Sequence, residues 1–531
     1  MRASRIGSPR YGRSASLLFL RITPKKYFII ASAKLARGCI INHMNKFYLT
    51  TAIPYVNAPP HVGHALEFVQ ADVIARYHRL KGEEVYLTTG ADENALKNVQ
   101  AAEKAGISVQ DLVSRNAELF KEFSKKLNFE YNGFGRGSDK TNHWPGVIDL
   151  WKRCEAAGDI YKKPYEGLYC VGCERFLTEK ELVKGLCPDH QTKPESIKEE
   201  NYFFRLSKYQ QRLEELIESD EYKIIPKSRK NEVLAFIRRG LEDFSISRSN
   251  ERARNWGVPV PGDDSQRIYV WFDALNIYQT TVGYGTDEKR YHKWWPADLH
   301  IIGKDIIRFH AVYWPAMLLS ADLPLPKALL VHGFITSHGG KMSKTVGNVI
   351  DPNEYIEEFG TDALRHFLLA EIPTAEDGDF THDKFLARYN GDLASGLGNL
   401  AARILTLAEG LELKDNPGEL DPVLKAAWQN YHSAFESLGL REAVEVVWGL
   451  IHKIDGFIDK KKPWESKDEA VLATLVTLLA NIAFLTRPFL PETSDKIFAG
   501  LGVSPEDKTW TFRPKKIKPL FPRLGDQKVG P

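Results

Sequence analysis

The 531-residue chain lacks several features that would place it in common protein classes. Its five cysteines are an odd, sparse set, which argues against a secreted disulfide framework and favours a reducing compartment. We find no apolar run near the length that spans a bilayer, so we expect no membrane-embedded segment. A Walker loop is absent, and no G-x-G-x-x-G motif follows the first expected strand. Any nucleotide site must therefore use another arrangement.

Acidic residues are missing from the beginning of the chain. Residues 1–43 contain nine Lys or Arg and no Asp or Glu, and the first acidic residue is Glu67. This composition is typical of an organellar transit peptide. We favour the alternative that Met44 is the natural start and that residues 1–43 are a disordered tail or a start-site artefact. The expected compartment is then the cytoplasm, with an organelle as the alternative.

The remaining chain is too long for one hydrophobic core, and its patterning predicts several domains. A β-α-β unit begins at Lys46, with a strand over Phe47–Ile53, a helix from His61 that ends near Gly82, and a strand over Val85–Thr89. A second block has expected strands around Tyr269–Phe272, His300–Ile302 and Leu329–Val331, with a helix over Asp305–Leu319. Two half-sheets separated by an insertion are typical of a split nucleotide-binding fold. Beyond about residue 385 only helical periodicity remains, which predicts an antiparallel bundle.

The segment His61-Val62-Gly63-His64 stands at the expected mouth of the first helix. Unpaired backbone N–H groups and the positive helix dipole favour a polyphosphate there. His61 and His64 are three residues apart, so both can donate from one face to phosphate oxygens. Gly63 would let a nucleotide approach closely because it has no Cβ. The alternative is a pair of surface or capping histidines.

A second basic motif, Lys341-Met342-Ser343-Lys344-Thr345, follows Gly339-Gly340. A mobile loop that presents two ammonium groups suits a charge that develops while pyrophosphate leaves. Together with His61–His64, and in this order, the motif resembles the signature pair of class I aminoacyl-tRNA synthetases. The resemblance implies that His61, His64, Lys341 and Lys344 are catalytic, and that Gly63 and Ser343 help to bind ATP.

Sequences around both motifs resemble methionyl-tRNA synthetases along nearly all of residues 44–523. Matching segments include Ala52–Asn57, Gly240–Arg248, Tyr269–Ala274, Ile302–Asp305 and Val331–Gly333. The resemblance implies a methionine site formed by Ile53, Tyr55, Asp92, Trp271, Ala274, Tyr278, Asp305 and His310, with Asp92 on the substrate ammonium. An aromatic slot suits a thioether, which offers dispersion and sulfur–aromatic contacts. One departure is Asn94-Ala95, where the family usually has His-Gly.

Four residues in the insertion have metal-ligand spacing. Cys170-x-x-Cys173 is followed, after thirteen residues, by Cys187-x-x-His190. Two short-range pairs of this kind suit tetrahedral Zn²⁺, and four protein ligands leave no open position for catalysis. We therefore expect one structural zinc ion per chain. Mg²⁺ is expected to arrive with ATP rather than to occupy a protein cage.

The helical region offers a possible anticodon face. Asn399 and Arg403 lie one turn apart, and Trp464 follows the basic run Lys460–Lys462. The family resemblance implies that these three residues read the anticodon. Alternatively, Trp464 plugs the bundle and the lysines form a solvated helix end. The chain stops soon after Arg523, without a C-terminal OB-fold, so we expect a monomer.

The full prediction is an α/β protein with a split Rossmann-type parallel sheet, a zinc-knuckle insertion and an all-α anticodon-binding bundle. Its expected segments are an N-terminal extension (1–43), two catalytic halves (44–160 and 260–350) around the insertion (161–259), a stem-contact segment (351–390) and the helical domain with its tail (391–531). The implied function is ATP-dependent joining of L-methionine to tRNA(Met). The rivals are a small nucleotidyltransferase, a zinc-knuckle RNA-binding protein without catalysis, and the leucine, isoleucine and valine enzymes, whose editing insertion is too large for this chain.

Overall fold

The computed structural model describes residues 45–172, 175–177, 179–188, 191–342, 350–507 and 509–524, without the side chains of residues 165, 175, 176, 180 and 341. Residues 1–43 lie outside these ranges, so the expectations for the N-terminal extension stay predictions. The same is true of Cys173, His190, Ser343, Lys344 and Thr345.

A six-stranded parallel sheet forms the centre of the first part of the chain. Its strands, in chain order, are β1 (Lys46–Thr50), β2 (Glu84–Ala91), β3 (Gly133–Arg136), β4 (Lys223–Ile225), β5 (Leu299–Gly303) and β6 (Ala328–His332). Their order across the sheet is β3-β2-β1-β5-β6-β4. Strand β5 is buried at every position, as expected where helices cover both faces. The order reverses between β1 and β5, and in such sheets ligands bind at the carboxyl ends beside that point.

Smaller sheets surround this one. An antiparallel sheet in the predicted insertion contains Arg175–Leu177, Ile160–Cys170, Glu195–Phe204 and Phe244–Ser245. Further strands are Ser247–Ser249, Pro259–Val260, Asp263–Ile268, Ile335–Ser337, Gly340–Lys341, Gly378–Asp379, Leu413–Lys414 and Thr511–Phe512. Strand β4 lies inside the segment assigned to the insertion and returns to the edge of the central sheet beside β6. That segment is therefore not wholly separate from the parallel sheet.

Helices connect the strands and then make up most of the later chain. Up to residue 320 they are Val62–Leu80, Leu96–Ala105, Val109–Lys126, Trp144–Ala156, Gln210–Glu218, Lys227–Arg238, Asn250–Ala253, Val270–Ala274, Ile277–Thr280, Glu288–Trp294 and Trp314–Ser320. The later ones are Pro352–Phe359, Thr361–Ala370, His382–Arg388, Asn399–Leu407, Asp421–Glu436, Leu440–Lys461, Pro463–Ser466, Glu469–Thr486 and Pro491–Leu501. Short 3-10 turns cover Glu179–Glu181, Leu206–Tyr209, Lys304–Ile306 and Gly418–Leu420, and π-helical turns cover Phe309–Tyr313 and Tyr389–Gly398.

Two predicted elements differ from the structure. The expected strand Tyr269–Phe272 is wrong, because the segment begins the buried helix Val270–Ala274. A short apolar run is compatible with either a buried strand or a buried helix, and periodicity does not separate them. The expected helix Asp305–Leu319 is broken into a 3-10 turn, a π turn and an α-helix. Pro315 lies at the start of the last piece and has no N–H to continue a regular ladder.

A buried arginine joins the parallel-sheet region to the helical region. The Arg365 guanidinium donates to Asp72 Oδ2 at 2.7 Å, and both side chains are fully buried. It also donates to the carbonyl oxygens of Leu127, Pro488 and Phe489 at 2.9–3.1 Å. Because every hydrogen bond comes from a planar, permanently charged group, this contact orients the two regions specifically.

Among the described residues, one helix is long and apolar enough to cross a bilayer, namely Glu469–Thr486. The expectation of no apolar run of this length is therefore wrong. However, 83% of the helix is buried inside the protein, packed mainly against neighbouring helices. An all-round apolar helix is what the centre of a bundle requires.

Candidate active site

The predicted nucleotide and methionine residues come together at the carboxyl end of the parallel sheet. Tyr55 follows β1, Asp92 follows β2, and His310 follows β5. Tyr55 and Asp92 form an isolated parallel bridge, and Asp92 N donates to Pro54 O at 2.8 Å. These segments lie around the point where the strand order reverses, so the location agrees with the general rule for such folds.

His61 and His64 cap the first helix and each other. The Nδ1 atom of His61 accepts from Gly63 N at 3.1 Å, and His61 N donates to His64 Nδ1 at 3.1 Å. The two rings lie 4.0 Å apart. The capping alternative and the phosphate-binding hypothesis are therefore compatible. In each histidine Nδ1 accepts a hydrogen bond from the backbone at the helix start, and Nε2 is the ring nitrogen that could contact a phosphate.

The His64 ring is neutral at physiological pH. Burial, together with the neighbouring His61 and His332, lowers the pKa of His64 well below its ordinary value. Since Nδ1 accepts a hydrogen bond, the single proton of the neutral ring lies on Nε2. The Nε2–H group of His64 is thus a hydrogen-bond donor, and the ring stays neutral near pH 7.

The absence of a side chain at Gly63 leaves room for the His61 ring, in addition to the expected close approach of a nucleotide. A Cβ at this position would lie 2.9 Å from Cε1 and 3.0 Å from Nδ1 of His61. Such distances are closer than real Cβ contacts, so a side chain at residue 63 would displace the His61 ring. The glycine makes room for the capping histidine, whatever space it also leaves for a nucleotide.

Glu67, one turn beyond His64, connects both halves of the sheet. Its Oε1 accepts from Ala52 N at 2.8 Å, just after β1, and its Oε2 lies 2.9 Å from His332 Nε2, at the end of β6. Glu67 raises the pKa of His332 despite burial of the ring, and His332 Nδ1 donates to Gly333 O. This pair was missed in the sequence, although Glu67 stands at helical spacing from His61 and His64 and is the first acidic residue.

The Lys341 motif begins on a hairpin after β6. The short strand Gly340–Lys341 pairs with Ile335–Ser337, and Gly339 has a φ of +73° at the turn. Asp379 Oδ1 accepts from Gly339 N at 2.8 Å, which anchors the turn. The backbone of Lys341 is thereby placed on the second, antiparallel strand of a hairpin that follows β6.

Aromatic rings from these segments pack against one another at the predicted methionine site, which we call the slot. Trp271 stacks on Phe309 with ring centroids 3.8 Å apart and an interplanar angle of 4°. Tyr55 meets Trp271 edge to face at 6.2 Å, and His310 does the same from another side. Trp271 is 7% exposed and Ala274, on the same short helix, is 4% exposed. The half-buried Ile53 packs against the same hydrophobic cluster.

The Tyr278–His310 pair at the polar end of the slot is uncharged. Burial lowers the pKa of His310 to about 4, and its Nδ1 donates to Ile306 O at 3.0 Å. Its Nε2 must then accept from the Tyr278 hydroxyl, which lies 2.8 Å away. The pKa of Tyr278 is raised, mainly by burial and in part by the nearby Asp92 carboxylate. Asp92 itself is buried, with 2% of its surface exposed.

Asn94, the departure from the family pattern, has a defined structural role. Its Nδ2 donates to Gly137 O and to Asp273 Oδ2, both at 2.7 Å. Asp273 Oδ1 lies 2.7 Å from His143 Nε2 in the same buried network. The helix with Trp271 and Ala274 is thereby tied to the end of β2. Nothing local in the sequence could have identified His143, because Asp273 lies 130 residues away.

Asp305 differs from the other predicted methionine residues. It is exposed in the turn after β5, and its carboxylate lies against Gly303, where a Cβ would meet Oδ1 at 2.9 Å. The same Cβ would lie 3.7 Å from His332 Cε1. Asp305 is thus beside His332 rather than among the buried aromatic rings.

Two of the four predicted zinc ligands lie within the described part of the chain. Cys170 and Cys187 are 1% and 0% exposed and belong to one small cluster with Leu177 and Leu182. Cys187 O accepts from Gln191 N at 2.8 Å, and Cys187 N donates to Thr192 O at 2.9 Å. These bonds turn the chain back towards Cys187 immediately after residue 190.

The three predicted anticodon residues share one face of the helical region. Asn399 is exposed at the start of its helix, and Arg403 lies one turn later. The Arg403 guanidinium is 6.0 Å from the centre of the Trp464 ring and pairs with Asp455 and Asp459 at 3.4 and 2.9 Å. Trp464 is 46% exposed, so it does not plug the bundle.

Comparison with known proteins identifies this arrangement. The family model described as "tRNA synthetases class I (M)" matches residues 47–196 and 190–405. The methionine–tRNA ligase of Clostridium acetobutylicum is 42% identical over 520 residues, covering 92% of this chain and 80% of the relative. That of Brucella suis is 40% identical over 482 residues, covering 87% and 93%. The chain belongs to the methionyl-tRNA synthetases, a family of class I tRNA synthetases.

A solved structure agrees with this membership. The Mycobacterium tuberculosis methionyl-tRNA synthetase in complex with methionyl-adenylate superimposes with a TM-score of 0.85 at 38% identity. The match covers 90% of this chain and all of that structure. The predicted family, enzyme class and α/β fold with a parallel sheet are therefore confirmed.

Proposed function

We propose the following roles for the residues of this methionine–tRNA ligase. The carboxylate of L-methionine attacks the α-phosphorus of ATP, which forms methionyl-adenylate and releases pyrophosphate. The 3′-terminal adenosine of tRNA(Met) then takes the methionyl group and AMP leaves. The observation that supports this assignment best is the buried aromatic slot beside the His61–His64 helix, at the same edge of the sheet.

The phosphate end uses donors rather than a nucleophilic side chain. His61 and His64 donate from Nε2 to phosphate oxygens at the amino end of the helix, where the dipole also favours negative charge. Lys341 and Lys344 neutralise the leaving pyrophosphate, and Ser343 contacts ATP. Mg²⁺ arrives with ATP. Glu67 raises the pKa of the buried His332, which favours the protonated form of this ring near His64.

The slot recognises methionine mainly by shape. Trp271 and Tyr55 offer faces and edges to the thioether, and Ala274 leaves room beside them. The neutral Tyr278–His310 pair closes the end without a charge that would require water. Asp92 pairs with the substrate ammonium. Asp305 belongs to the phosphate side, beside His332.

ATP–pyrophosphate exchange with each amino acid in turn tests this assignment. We expect exchange with methionine, and a loss of roughly 10²-fold in kcat for His64→Ala with little change in the KM for methionine. A matched control is His452→Ala, a histidine on an exposed helix position of the helical region. Exchange driven by leucine, or an unchanged kcat for His64→Ala, would contradict the assignment.

We further propose one structural zinc ion, held by Cys170, Cys173, Cys187 and His190. The burial of Cys170 and Cys187 in one cluster, and the backbone hydrogen bonds of Cys187 with Gln191 and Thr192, fit a closed four-ligand site. The ion would supply folding energy to the insertion and no catalytic step.

Metal analysis of two cysteine variants tests the zinc proposal. Cys170→Ser should lower the zinc content from about one ion per chain to well below one. Cys154→Ser is the matched control, because Cys154 is a buried thiol outside the cluster and its Sγ contacts Met317 O. Full zinc content in Cys170→Ser would refute the ligand set.

The tRNA end and the assembly state complete the proposal. Asn399, Arg403 and Trp464 read the anticodon of tRNA(Met), with Trp464 stacking on an unpaired base. The chain acts as a cytoplasmic monomer that binds no membrane. Sedimentation at micromolar concentration tests whether the chain is a monomer, and a dimer would contradict the proposal.

A further inference from the structure

Lys97 lies between the methionine slot and the predicted zinc knuckle. It is half-buried near the start of the helix Leu96–Ala105, which follows β2 and Asp92. Its Nζ is 3.4 Å from the centre of the Tyr55 ring. The same Nζ donates to Gly172 O at 3.2 Å. One ammonium group therefore touches both structures.

Both contacts reach residues with defined neighbours. Tyr55 presents its ring edge-on to Trp271 at an interplanar angle of 85°, and its backbone pairs with Asp92. Gly172 lies two residues after Cys170, in the turn between the first two predicted zinc ligands. A change in that turn moves the carbonyl that holds Lys97, and a change in Lys97 releases the face of Tyr55.

We propose that Lys97 is a positioning residue that couples the turn after Cys170, at Val171 and Gly172, to the methionine slot by holding the Tyr55 ring. This inference rests on the proposed role of Tyr55 in methionine binding. The partners suit the task, because a half-buried ammonium is attracted to an aromatic face and to a carbonyl oxygen at the same time.

The consequence concerns affinity rather than chemistry. With its face covered by Lys97, Tyr55 has its orientation towards Trp271 fixed before methionine binds. Without that contact the ring must be ordered by the substrate, and the binding free energy is reduced by the cost of ordering. The loss should appear in the KM for methionine and leave the ATP site unaffected.

Steady-state exchange kinetics and direct binding test the proposal. Lys97→Met keeps an unbranched side chain without the charge, and we expect it to raise the KM for methionine about tenfold, with kcat and the KM for ATP within twofold. Methionine titrated against the intrinsic tryptophan fluorescence should show the same loss. Lys97→Arg should stay within about threefold of the native protein, since a guanidinium also stacks on tyrosine and donates to a carbonyl.

Lys104→Met is the matched control, an exposed lysine on the same helix, and should change neither constant. An unchanged methionine KM in Lys97→Met would overturn the proposal. A parallel rise in the KM values for methionine and ATP would overturn it as well, because it would indicate a general loss of structure.

A double-mutant cycle tests the coupling itself. Cys170→Ser should raise the methionine dissociation constant in the native background and have little further effect with Lys97→Met. If the fold-changes in the methionine dissociation constant of the two single variants multiply in the double variant, Lys97 does not transmit the effect of Cys170→Ser to the slot. Tyr55→Leu separates the two hypotheses: if it leaves methionine binding unaltered, the slot assignment is wrong, whereas a weakened slot with an inert Lys97→Met refutes only the coupling.

Discussion

Two tryptophans lie at the two proposed recognition surfaces of the protein, and their environments are opposite. Trp271 is 7% exposed, stacked on Phe309 and enclosed by Tyr55 and His310. Trp464 is 46% exposed, with Arg403 6.0 Å from its ring centre. Trp271 therefore belongs to the hydrophobic core, whereas nearly half of the Trp464 surface is exposed.

The difference follows from what each surface has to recognise. A thioether offers no strong hydrogen bonds, so selectivity must come from a rigid slot, which requires burial. An unpaired base brings its own large flat surface and polar edges, so an exposed ring and a guanidinium suffice. Substitutions at the first surface should therefore affect folding as well as binding, and those at the second surface only binding.

Trp271→Ala should have the largest effect. Truncation of a buried tryptophan costs about 3–5 kcal/mol of stability, and it also removes the wall of the slot. We expect a lowered denaturation midpoint and a loss of methionine-dependent exchange of more than about 100-fold. Urea unfolding and exchange kinetics measure the two effects. Native stability in this variant would show that Trp271 does not contribute to the core.

Trp464→Ala should have an intermediate effect of a different kind. Loss of base stacking costs about 1–3 kcal/mol, so kcat/KM for tRNA(Met) should fall roughly 10- to 100-fold. Exchange without tRNA and the unfolding midpoint should match those of the native protein. A fall in the exchange rate would break the comparison, because it would tie the exposed ring to the catalytic region.

The smallest effect is the response of the slot to pH. Burial lowers the pKa of His310 from 6.5 to about 4, so between these values the unfolded chain binds a proton that the folded protein does not. Stability therefore falls as pH is lowered through this range, by about 1–2 kcal/mol between pH 6.5 and pH 5 from this residue. His310→Gln should flatten that part of the pH profile of unfolding. An identical slope in the variant would contradict the neutral Tyr278–His310 pair.

Much of this protein could be predicted from local pattern. The spacing of apolar residues, together with the residues that begin and end helices and strands, predicts many of the elements. These include the helix after His61, strands β1, β2, β5 and β6, and the helical character of the later chain. Such signals depend only on neighbouring residues. The signature motifs were equally readable, since the helix start that holds His61, Gly63 and His64 is a local structure. The strand expected at Tyr269–Phe272 failed because a short apolar run does not distinguish a buried strand from a buried helix.

What the sequence alone determined is the chemistry of this enzyme, through motifs whose residues lie close together along the chain. Only the tertiary structure decided which side-chain contacts hold the segments of the site together. These contacts are Glu67 with His332, Asn94 with Asp273, and Lys97 with both Tyr55 and Gly172. The hydrogen bonds among these contacts join residues from 75 to 265 positions apart. Hydrogen bonds and ion pairs depend on distance in space, and at such separations that distance is set only by the packed fold.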